Sequence, residues 1–274
     1  ILFFTSKGTY GYVPVYEVDD AKWKEIGSHI NSKIKITSDE KITDAFIVKD
    51  FKTNAYMLSI TRHGLVKKTA ICEYEVSRNN KTMSNMKLLE DDEVVQTYVA
   101  YEEDEILIAS KKGYITRYPI SLIPATSPRS KGVKAMNLVE DEIASALIYN
   151  NDNRQLVVFS DNCACKRMKL TDIDVTGRPT KGSMLCKKVK SKPYHIAYIS
   201  LHDLNDEIVI ANSEIHKVVS KDIPLMAKDA TFSAMLKGIT DFYLLKELPK
   251  VELRELPKQE EVEEEDFEAL SLFE

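Results

Sequence analysis

The sequence contains few glycines, few cysteines and almost no tryptophan, and it lacks long hydrophobic runs. Its 274 residues include nine glycines, four cysteines and one tryptophan. The glycines nowhere form a Gly-x-Gly-x-x-Gly fingerprint or a phosphate-binding loop, so these two nucleotide-binding motifs are absent. No apolar run approaches the roughly 20 residues that span a bilayer. We therefore expect neither a nucleotide-binding fold of those types nor a membrane-spanning helix.

The few cysteines and histidines do not form a recognisable metal or catalytic motif. Cys163 and Cys165 are close enough to share a soft metal, but no second pair stands at ligand spacing. The five histidines are scattered, and the carboxylates cluster where turns are expected. We therefore expect reduced thiols, no metal, no cofactor and no catalysis in this chain.

The sequence also lacks a secretory signal, because no basic and apolar leader opens it and it begins with Ile1. Its composition, with 43% apolar and 30% charged residues, is typical of a globular protein. These features predict a domain excised from a longer protein of the cytoplasm.

The formal net charge of −5 conceals an uneven distribution. Residues 251–274 contain ten acidic and two basic side chains, so the rest of the chain carries a net charge of +3. Residues 154–205 alone carry ten basic and four acidic side chains. This pattern predicts a mildly basic body with one strongly basic sector, followed by a disordered acidic tail over 251–274.

One sequence pattern recurs five times at a spacing of about 50 residues. Its clearest copy, Ile106–Ile120, is an apolar run, a Lys-Lys-Gly turn and an alternating run, which predicts a β-hairpin. The turns of the five copies lie near residues 8, 64, 113, 162 and 213. Two further strands are expected after each hairpin. The predicted units span residues 1–51, 52–104, 105–153, 154–205 and 206–250.

Five units of four strands predict an all-β, propeller-like domain over residues 1–250, because radial repetition leaves few sheet edges exposed. In the first unit we expect a strand at Ile34–Ile36. In the second and third units the third strands are expected at Thr82–Leu89 and Gly132–Leu138. Trp23 is expected to anchor a polar loop of the first unit.

Particular residues give the chain a resemblance to a known family. The turn Ser110–Gly113 followed by Arg117, the segment Lys131–Met136 and the segment Ala21–His29 resemble the C-terminal domain of bacterial type IIA topoisomerase A subunits. The similarity covers residues 1 to about 250 and is greatest to the topoisomerase IV branch. It implies a β-pinwheel of five or six four-stranded blades that exchange strands with their neighbours. The glycine-rich box of gyrase is not matched at Ser127–Gly132, which favours topoisomerase IV over gyrase.

The resemblance also implies a function. The domain would bind double-stranded DNA without sequence specificity, bend it, and present it for strand passage in decatenation, supercoil relaxation and chromosome segregation. Catalysis, with ATP and Mg²⁺, would belong to the rest of an ATP-dependent enzyme. The implied partners, in a heterotetramer, are the ATPase B subunit and the remainder of the A subunit. The implied location is the bacterial cytoplasm, in association with the nucleoid and not with a membrane.

DNA binding of this kind needs cations spread along a convex edge, because the backbone of a duplex is a line of phosphates. One predicted group lies on the second strands of the hairpins: Lys67, Lys68, Arg117, Lys166, Arg167 and Lys169. The other lies in and beside the loops before the third strands: Arg78, Lys81, Arg129, Lys131, Lys134, Arg178, Lys181, Lys187 and Lys188. We expect both groups to face one rim. The alternative is a propeller-type protein-interaction scaffold, whose cations only maintain solubility and protect strand edges.

Overall fold

The structure is a computed structural model that describes residues 1–22, 24–76, 81–150, 153–186, 193–236, 238–245, 250–252 and 254. The predicted cations Arg78, Lys187 and Lys188 lie outside these ranges, as do Trp23 and the tail from residue 255 onward. No helix within these ranges is long and apolar enough to cross a membrane.

The described residues form strands joined by short 3₁₀ turns. The strands are β1 (Leu2–Thr5), β2 (Thr9–Tyr12), β3 (Ile42–Val48), β4 (Tyr56–Thr61), β5 (Leu65–Ala70), β6 (Met83–Ser84), β7 (Val94–Ala100), β8 (Glu105–Ser110), β9 (Tyr114–Pro119), β10 (Val133–Lys134), β11 (Ile143–Tyr149), β12 (Gln155–Ser160), β13 (Cys165–Lys169), β14 (Ser183–Met184), β15 (Ile196–His202), β16 (Glu207–Ala211), β17 (Ile215–Val219), β18 (Tyr243–Leu244) and β19 (Lys250–Val251). The 3₁₀ turns cover Val15–Glu17, Ile30–Ser32, Ile71–Tyr74, Ile120–Leu122, Leu170–Asp172 and Ser220–Asp222.

The strands assemble into five sheets, ordered β19-β3-β1-β2-β6, β10-β5-β4-β7, β11-β8-β9-β14, β13-β12-β15 and β17-β16-β18. Each sheet contains one predicted hairpin, and neighbouring units exchange strands. The third strand of the second unit, β6, pairs with β2 of the first unit. In the same way β10 pairs with β5, and β14 pairs with β9. The all-β pinwheel is therefore confirmed, with five blades in the described part of the chain.

Hairpin turns fix where the exchanged strands attach. Gly64 and Gly113 have positive φ angles of 86°, a conformation that glycine adopts without steric cost. The carbonyl of Gly64 accepts from the amide of Ala135 at 2.8 Å, directly after β10. The carbonyl of Gly113 accepts from the amide of Leu185 at 2.8 Å, directly after β14. Each turn therefore closes its own hairpin and also receives the strand of the next unit.

The hydrophobic core lies between successive blades. Each of the four larger apolar clusters draws most of its buried residues from two consecutive units. In the cluster between the second and third units, for example, Leu58 and Val66 pack with Ile106 and Tyr118, all fully buried. Burial of apolar side chains between blades stabilises the arrangement of the units as well as each sheet.

The structure differs from the sequence-based prediction at the third strands. β6 and β10 are only two residues long, much shorter than the strands predicted there. The strand predicted at Ile34–Ile36 is wrong, because Lys35 forms only an isolated bridge to Lys81. Short third strands suffice because each pairs with one edge of a preceding hairpin and then turns away.

Contacts with the blades continue past the predicted domain boundary at residue 250. β19 pairs in parallel with β3, and Val251 is fully buried in the core between the first two units. The guanidinium of Arg254 forms an ion pair with Glu103 at 3.1 Å and a second ion pair with the buried Asp104. The chain after the fifth unit therefore returns to the first blade, and this segment belongs to the folded domain.

Candidate nucleic-acid interface

The predicted DNA-binding cations fall into two groups with opposite environments. Four on the second strands of hairpins are buried: Lys67 and Lys68 are 2% and 3% exposed, and Lys166 and Arg167 are 0% and 8% exposed. The prediction that these side chains face the rim is therefore wrong. A side chain with almost no accessible surface cannot contact a phosphate without local unfolding.

Burial of these cations results from the exchange between units. In the third, fourth and fifth units, the segment after the 3₁₀ turn that follows the hairpin lies along the outer edge of the hairpin of the preceding unit. The carbonyl of Lys68 accepts from the amide of Thr126 at 2.9 Å, and the carbonyl of Arg167 accepts from the amide of Met226 at 2.8 Å. The neighbouring unit thus covers the face of the strand that would otherwise be open to solvent.

Equivalent cations on the second strands connect one unit to the next. The pairing registers place Lys68, Arg117, Arg167 and Lys217 at the same position in four successive hairpins. The guanidinium of Arg117 donates to the carbonyl of Ile173 at 3.2 Å, in the next unit. Lys68 and Arg167 likewise reach carbonyls of the next unit, at the 3₁₀ turn that follows its hairpin or at the residue after that turn.

The side chain of Arg117 is therefore an internal contact between units. Its exposed fraction is 18%, and its Nε donates to Oε2 of Glu105 at 2.8 Å in the same sheet. The prediction that Arg117 points to the rim is wrong, because its charge is already satisfied within the protein. The cations at this position in the second, third and fourth units therefore stabilise the joints between blades.

The ammonium of Lys166 lies in a cage of backbone carbonyls. It donates to the carbonyls of Lys228 at 2.6 Å and Ala230 at 2.9 Å, and also to that of Leu185. Burial lowers the pKa of Lys166 to about 8. Burial likewise lowers the pKa of Lys67 to about 8. Lys166 holds neighbouring segments together, whereas the ammonium of Lys67 donates to the hydroxyl of Thr69 on its own strand. Neither buried lysine is available to a ligand.

The remaining described cations of the prediction lie at or near the surface. Arg178 is half-buried, and its guanidinium donates to the carbonyls of Leu122 at 3.1 Å and Lys134 at 2.6 Å. Lys169 is exposed at the end of β13. The other exposed cations lie in or beside the third-strand loops: Lys81, Arg129, Lys131, Lys134 and Lys181.

Backbone hydrogen bonds join these loops into one continuous edge. The amide of Arg129 donates to the carbonyl of Asn85 at 3.0 Å, so the loop of the third unit contacts the second. The amide of Asn137 donates to the carbonyl of Thr180 at 2.8 Å, so the loop of the fourth unit contacts the third. The loops therefore follow one another from the second unit to the fourth.

Lys87 also belongs to this edge, although it was missing from the sequence-based prediction. Its side chain is exposed, and its amide donates to the carbonyl of Ser130 at 3.0 Å. Aligning the repeats would have found it, because Lys87 stands three residues after its third strand, as the predicted Lys187 does in the fourth unit. We call the six exposed cations of this edge the loop rail: Lys81, Lys87, Arg129, Lys131, Lys134 and Lys181.

The loop rail carries positive charge that the described part of the protein does not neutralise. No ion pair is formed by any of its six members within the described ranges. The ammonium of Lys181 lies 4.6 Å from the ring centroid of Tyr114, a contact that leaves the charge in place. The arrangement is suited to an extended polyanion.

The closely spaced thiols of Cys163 and Cys165 are buried and poorly suited to bind a metal. Burial raises the pKa of Cys163 to about 11 and that of Cys165 to about 12, which disfavours the thiolate that a metal would need. The described residues contain no group of three or more His, Cys, Asp or Glu side chains arranged to hold a metal ion.

Repeated hairpins, third strands passed to the preceding blade and a basic edge of loops define a β-pinwheel with a candidate polyanion-binding rim. The chain belongs to the DNA gyrase C-terminal domain family of β-propellers, whose model matches residues 1–49, 55–100, 104–150 and 154–202. The family resemblance inferred from sequence motifs is thereby confirmed.

Similar proteins point to the topoisomerase IV branch of this family. The chain is 32% identical to the A subunit of DNA topoisomerase 4 from Bacillus subtilis, over 72% of the chain and 24% of that protein. It is 30% identical to the corresponding protein of the same name from Staphylococcus epidermidis, over 79% of the chain and 27% of that protein. The chain thus spans about a quarter of the length of these relatives.

Solved structures show the same fold. The crystal structure of the C-terminal domain of DNA topoisomerase IV superposes with a TM-score of 0.82 at 33% identity, covering 86% of this chain and 74% of the other. The C-terminal domain of DNA gyrase A superposes with a TM-score of 0.74 at 21% identity, covering 89% of this chain and 80% of the other. The latter similarity is one of fold alone.

Proposed function

We propose that this domain binds double-stranded DNA without sequence specificity and bends it along the loop rail. The observation that carries the proposal is the placement of six exposed cations on one chain of hydrogen-bonded loops, with no carboxylate partner in the described ranges. Contacts from lysine and arginine to phosphates position a duplex but carry no sequence information. Binding through the rail is therefore expected to be independent of sequence.

The number of rail cations sets the expected salt dependence. Each neutralised phosphate releases counterions, so log K falls with log salt at a slope of about −0.9 per contact. Six contacts give a slope of about −5.4. Raising the salt concentration from 50 to 200 mM should therefore weaken binding by about 10³-fold.

Bending follows from the way the rail is built. Its cations occupy equivalent loops of three successive units of the pinwheel. A duplex that contacts all of them must therefore bend around the edge of the pinwheel. Smoothly bending 20–30 base pairs by tens of degrees costs on the order of 1–6 kcal/mol, which several phosphate contacts can offset. The fifth unit has Thr231 where the second, third and fourth have lysine, so the path is incomplete.

Within the whole protein, the bent segment would be presented to a catalytic core for strand passage in decatenation and relaxation. We propose that this chain is part of the A subunit of an ATP-dependent type IIA topoisomerase that acts with an ATPase B subunit in a heterotetramer. In that assembly ATP and Mg²⁺ act outside this domain. The expected location is the bacterial cytoplasm, where the enzyme would associate with the nucleoid and contribute to chromosome segregation.

The proposal is tested by measuring duplex binding across a salt series. We expect a linear log–log dependence with a slope near −5.4, equal affinity for unrelated sequences, and tighter binding to a small DNA circle than to a linear duplex of equal length. Binding that is absent at 50 mM salt would instead favour the protein-interaction scaffold. Equal affinity for circle and linear duplex would exclude bending.

A further inference from the structure

No described residue pairs with the outer edge of the second strand in the fifth blade, although this edge is paired in each of the other four blades. In the first three blades the outer edge of the second strand pairs with a strand from the next unit. In the fourth blade, Ser233 of the fifth unit forms a bridge to Cys165 on β13. β17 is the corresponding strand of the fifth blade, and within the described ranges nothing pairs with its outer edge.

The repeat shows which backbone groups are open on this edge. Registers of the two hairpins place Ile215 and Lys217 where the fourth blade has Cys165 and Arg167. The amide of Cys165 donates to the carbonyl of Ser233 at 3.3 Å, and that of Arg167 donates to the carbonyl of Pro224 at 3.0 Å. The amides of Ile215 and Lys217 therefore point outward, toward the place that a next unit would occupy.

Side chains of β17 are correspondingly uncovered. Ile215 is 67% exposed, although Cys165 at the same position is fully buried. Among the described residues, the ammonium of Lys217 pairs with Glu207 alone, at 2.7 Å. At the equivalent position Arg167 also reaches backbone carbonyls of the following unit. The fifth blade thus presents the same receiving surface as the others, without a described segment that fills it.

We propose that the outer edge of β17 is a docking site for an extended segment of a partner polypeptide, which adds to the fifth blade as an antiparallel strand. Strand addition of this kind uses main-chain hydrogen bonds for affinity and alternate side chains for specificity. Pairing of this outer edge with a segment of the next unit occurs in four blades of this molecule. Those four segments show what kind of polypeptide can occupy the edge of β17. A fitting segment has a turn with open carbonyls for Lys217, then a short strand like β10 or β14.

A second copy of this chain fits the edge poorly. Antiparallel pairing of β17 with itself about its central residue would place Lys217 directly opposite Lys217, and like charges in that position are destabilising. The segments that carry the third strands avoid this repulsion. Those of the third, fourth and fifth units also bring backbone carbonyls at or just after a 3₁₀ turn to the cation of the receiving hairpin, as residues 221 and 223 do for Arg167. The partner is therefore expected to resemble residues 120–138, which include the 3₁₀ turn Ile120–Leu122 and β10.

The probe is a fluorescent synthetic peptide with the sequence of residues 120–138, added to the whole 274-residue chain. Binding is measured by anisotropy, and exchange of the Ile215 and Lys217 amides is followed by nuclear magnetic resonance. We expect saturable binding that slows exchange of these two amides at least about 10-fold. A peptide with Val133→Pro lacks the amide that would pair with the edge and should bind about 10-fold more weakly.

Two variants of the protein separate strand addition from charge attraction. Lys217→Pro removes the outward amide while keeping the pairing with β16, and proline is tolerated on the free side of an edge strand. Lys217→Ala removes the same charge but keeps the amide. We expect about 10-fold weaker peptide binding for Lys217→Pro than for Lys217→Ala, with thermal unfolding of both variants checked first.

Four results would overturn the proposal. The first is peptide binding that leaves exchange at Ile215 and Lys217 unchanged. The second is protection of both amides without peptide, which would mean that another part of this chain already covers the edge. The third is concentration-dependent dimerisation that Lys217→Pro abolishes, which would assign the edge to a second copy. The fourth is absence of peptide binding, which would make β17 an edge that Lys217 merely protects from pairing.

Discussion

Replacement of Lys166 by Met tests whether the buried lysines are structural. The side chain of Lys166 is fully buried, and its ammonium donates to the carbonyls of Leu185, Lys228 and Ala230. Methionine has similar length but no donor, so it leaves these acceptors unsatisfied at about 1–3 kcal/mol each. Relief of the buried charge offsets part of that cost. We expect the variant to lose on the order of 3 kcal/mol of stability at pH 7.

The same substitution should change the pH dependence of stability in a defined direction. Burial lowers the pKa of Lys166 from its ordinary value of 10.5 to about 8 in the folded protein. Between these values the unfolded chain holds a proton that the folded chain has released, so stability rises with pH. The contribution of Lys166 should increase by about 3 kcal/mol from pH 8 to pH 10.5, and decrease as pH falls through 8.

Urea unfolding of the wild type and Lys166→Met at pH 7, 9 and 10 measures both effects, because other titrating groups cancel in the difference. Lys181→Met is the matched control, since Lys181 is exposed on the loop rail. We expect this control to change stability by less than about 0.5 kcal/mol. Unchanged stability of Lys166→Met, together with weaker DNA binding, would refute the structural role of Lys166.

Two further pairs of variants test the joints between units by urea unfolding. Arg117→Met should cost about 2–4 kcal/mol, because it unpairs a half-buried carboxylate and the carbonyls of the next unit, whereas Lys217→Met in the fifth blade should cost about 0.5 kcal/mol or less. Equal losses would contradict the assignment of Arg117 to a joint. Gly182→Ala should cost about 2 kcal/mol or more, since its φ is +77° and the new Cβ would lie 2.2 Å from a carbonyl oxygen of β9. Gly177→Ala meets nothing within 4 Å and is expected to be neutral, so a larger loss there would contradict the described packing.

The hairpins could be predicted from sequence because each contains its own signal. The run Ile106–Ile120 has apolar residues, a turn and alternation in one continuous stretch, and local pairing follows from that pattern. The exchange of third strands could not be read in this way. Val133 and Lys134 could pair with the hairpin of their own unit or with the preceding one, and only the family resemblance indicated the latter.

The solvent exposure of the cations could not be predicted from the sequence either. Alternation along β5 indicates that Lys67 and Lys68 point to opposite faces, so at least one would be expected in solvent. Both are buried because a segment of the next unit, around Thr126, covers the outer edge. In contrast, Lys131 and Lys181 lie in loops that no later described segment covers, and both side chains are exposed. Contacts with segments that are distant in the sequence therefore decide which cations remain exposed and able to bind a ligand.

The most direct test of the DNA-binding account compares two triple variants with the same loss of charge. The first removes three lysines of the loop rail, Lys131→Ala, Lys134→Ala and Lys181→Ala. The second removes three exposed lysines outside the loop rail, one each in the first, second and fifth units: Lys41→Ala, Lys52→Ala and Lys221→Ala. The measurement is the slope of log K against log salt for a duplex. We predict a change from about −5.4 to about −2.7 for the rail triple and no change for the second triple. Equal changes in both slopes would contradict a DNA path along the loop rail.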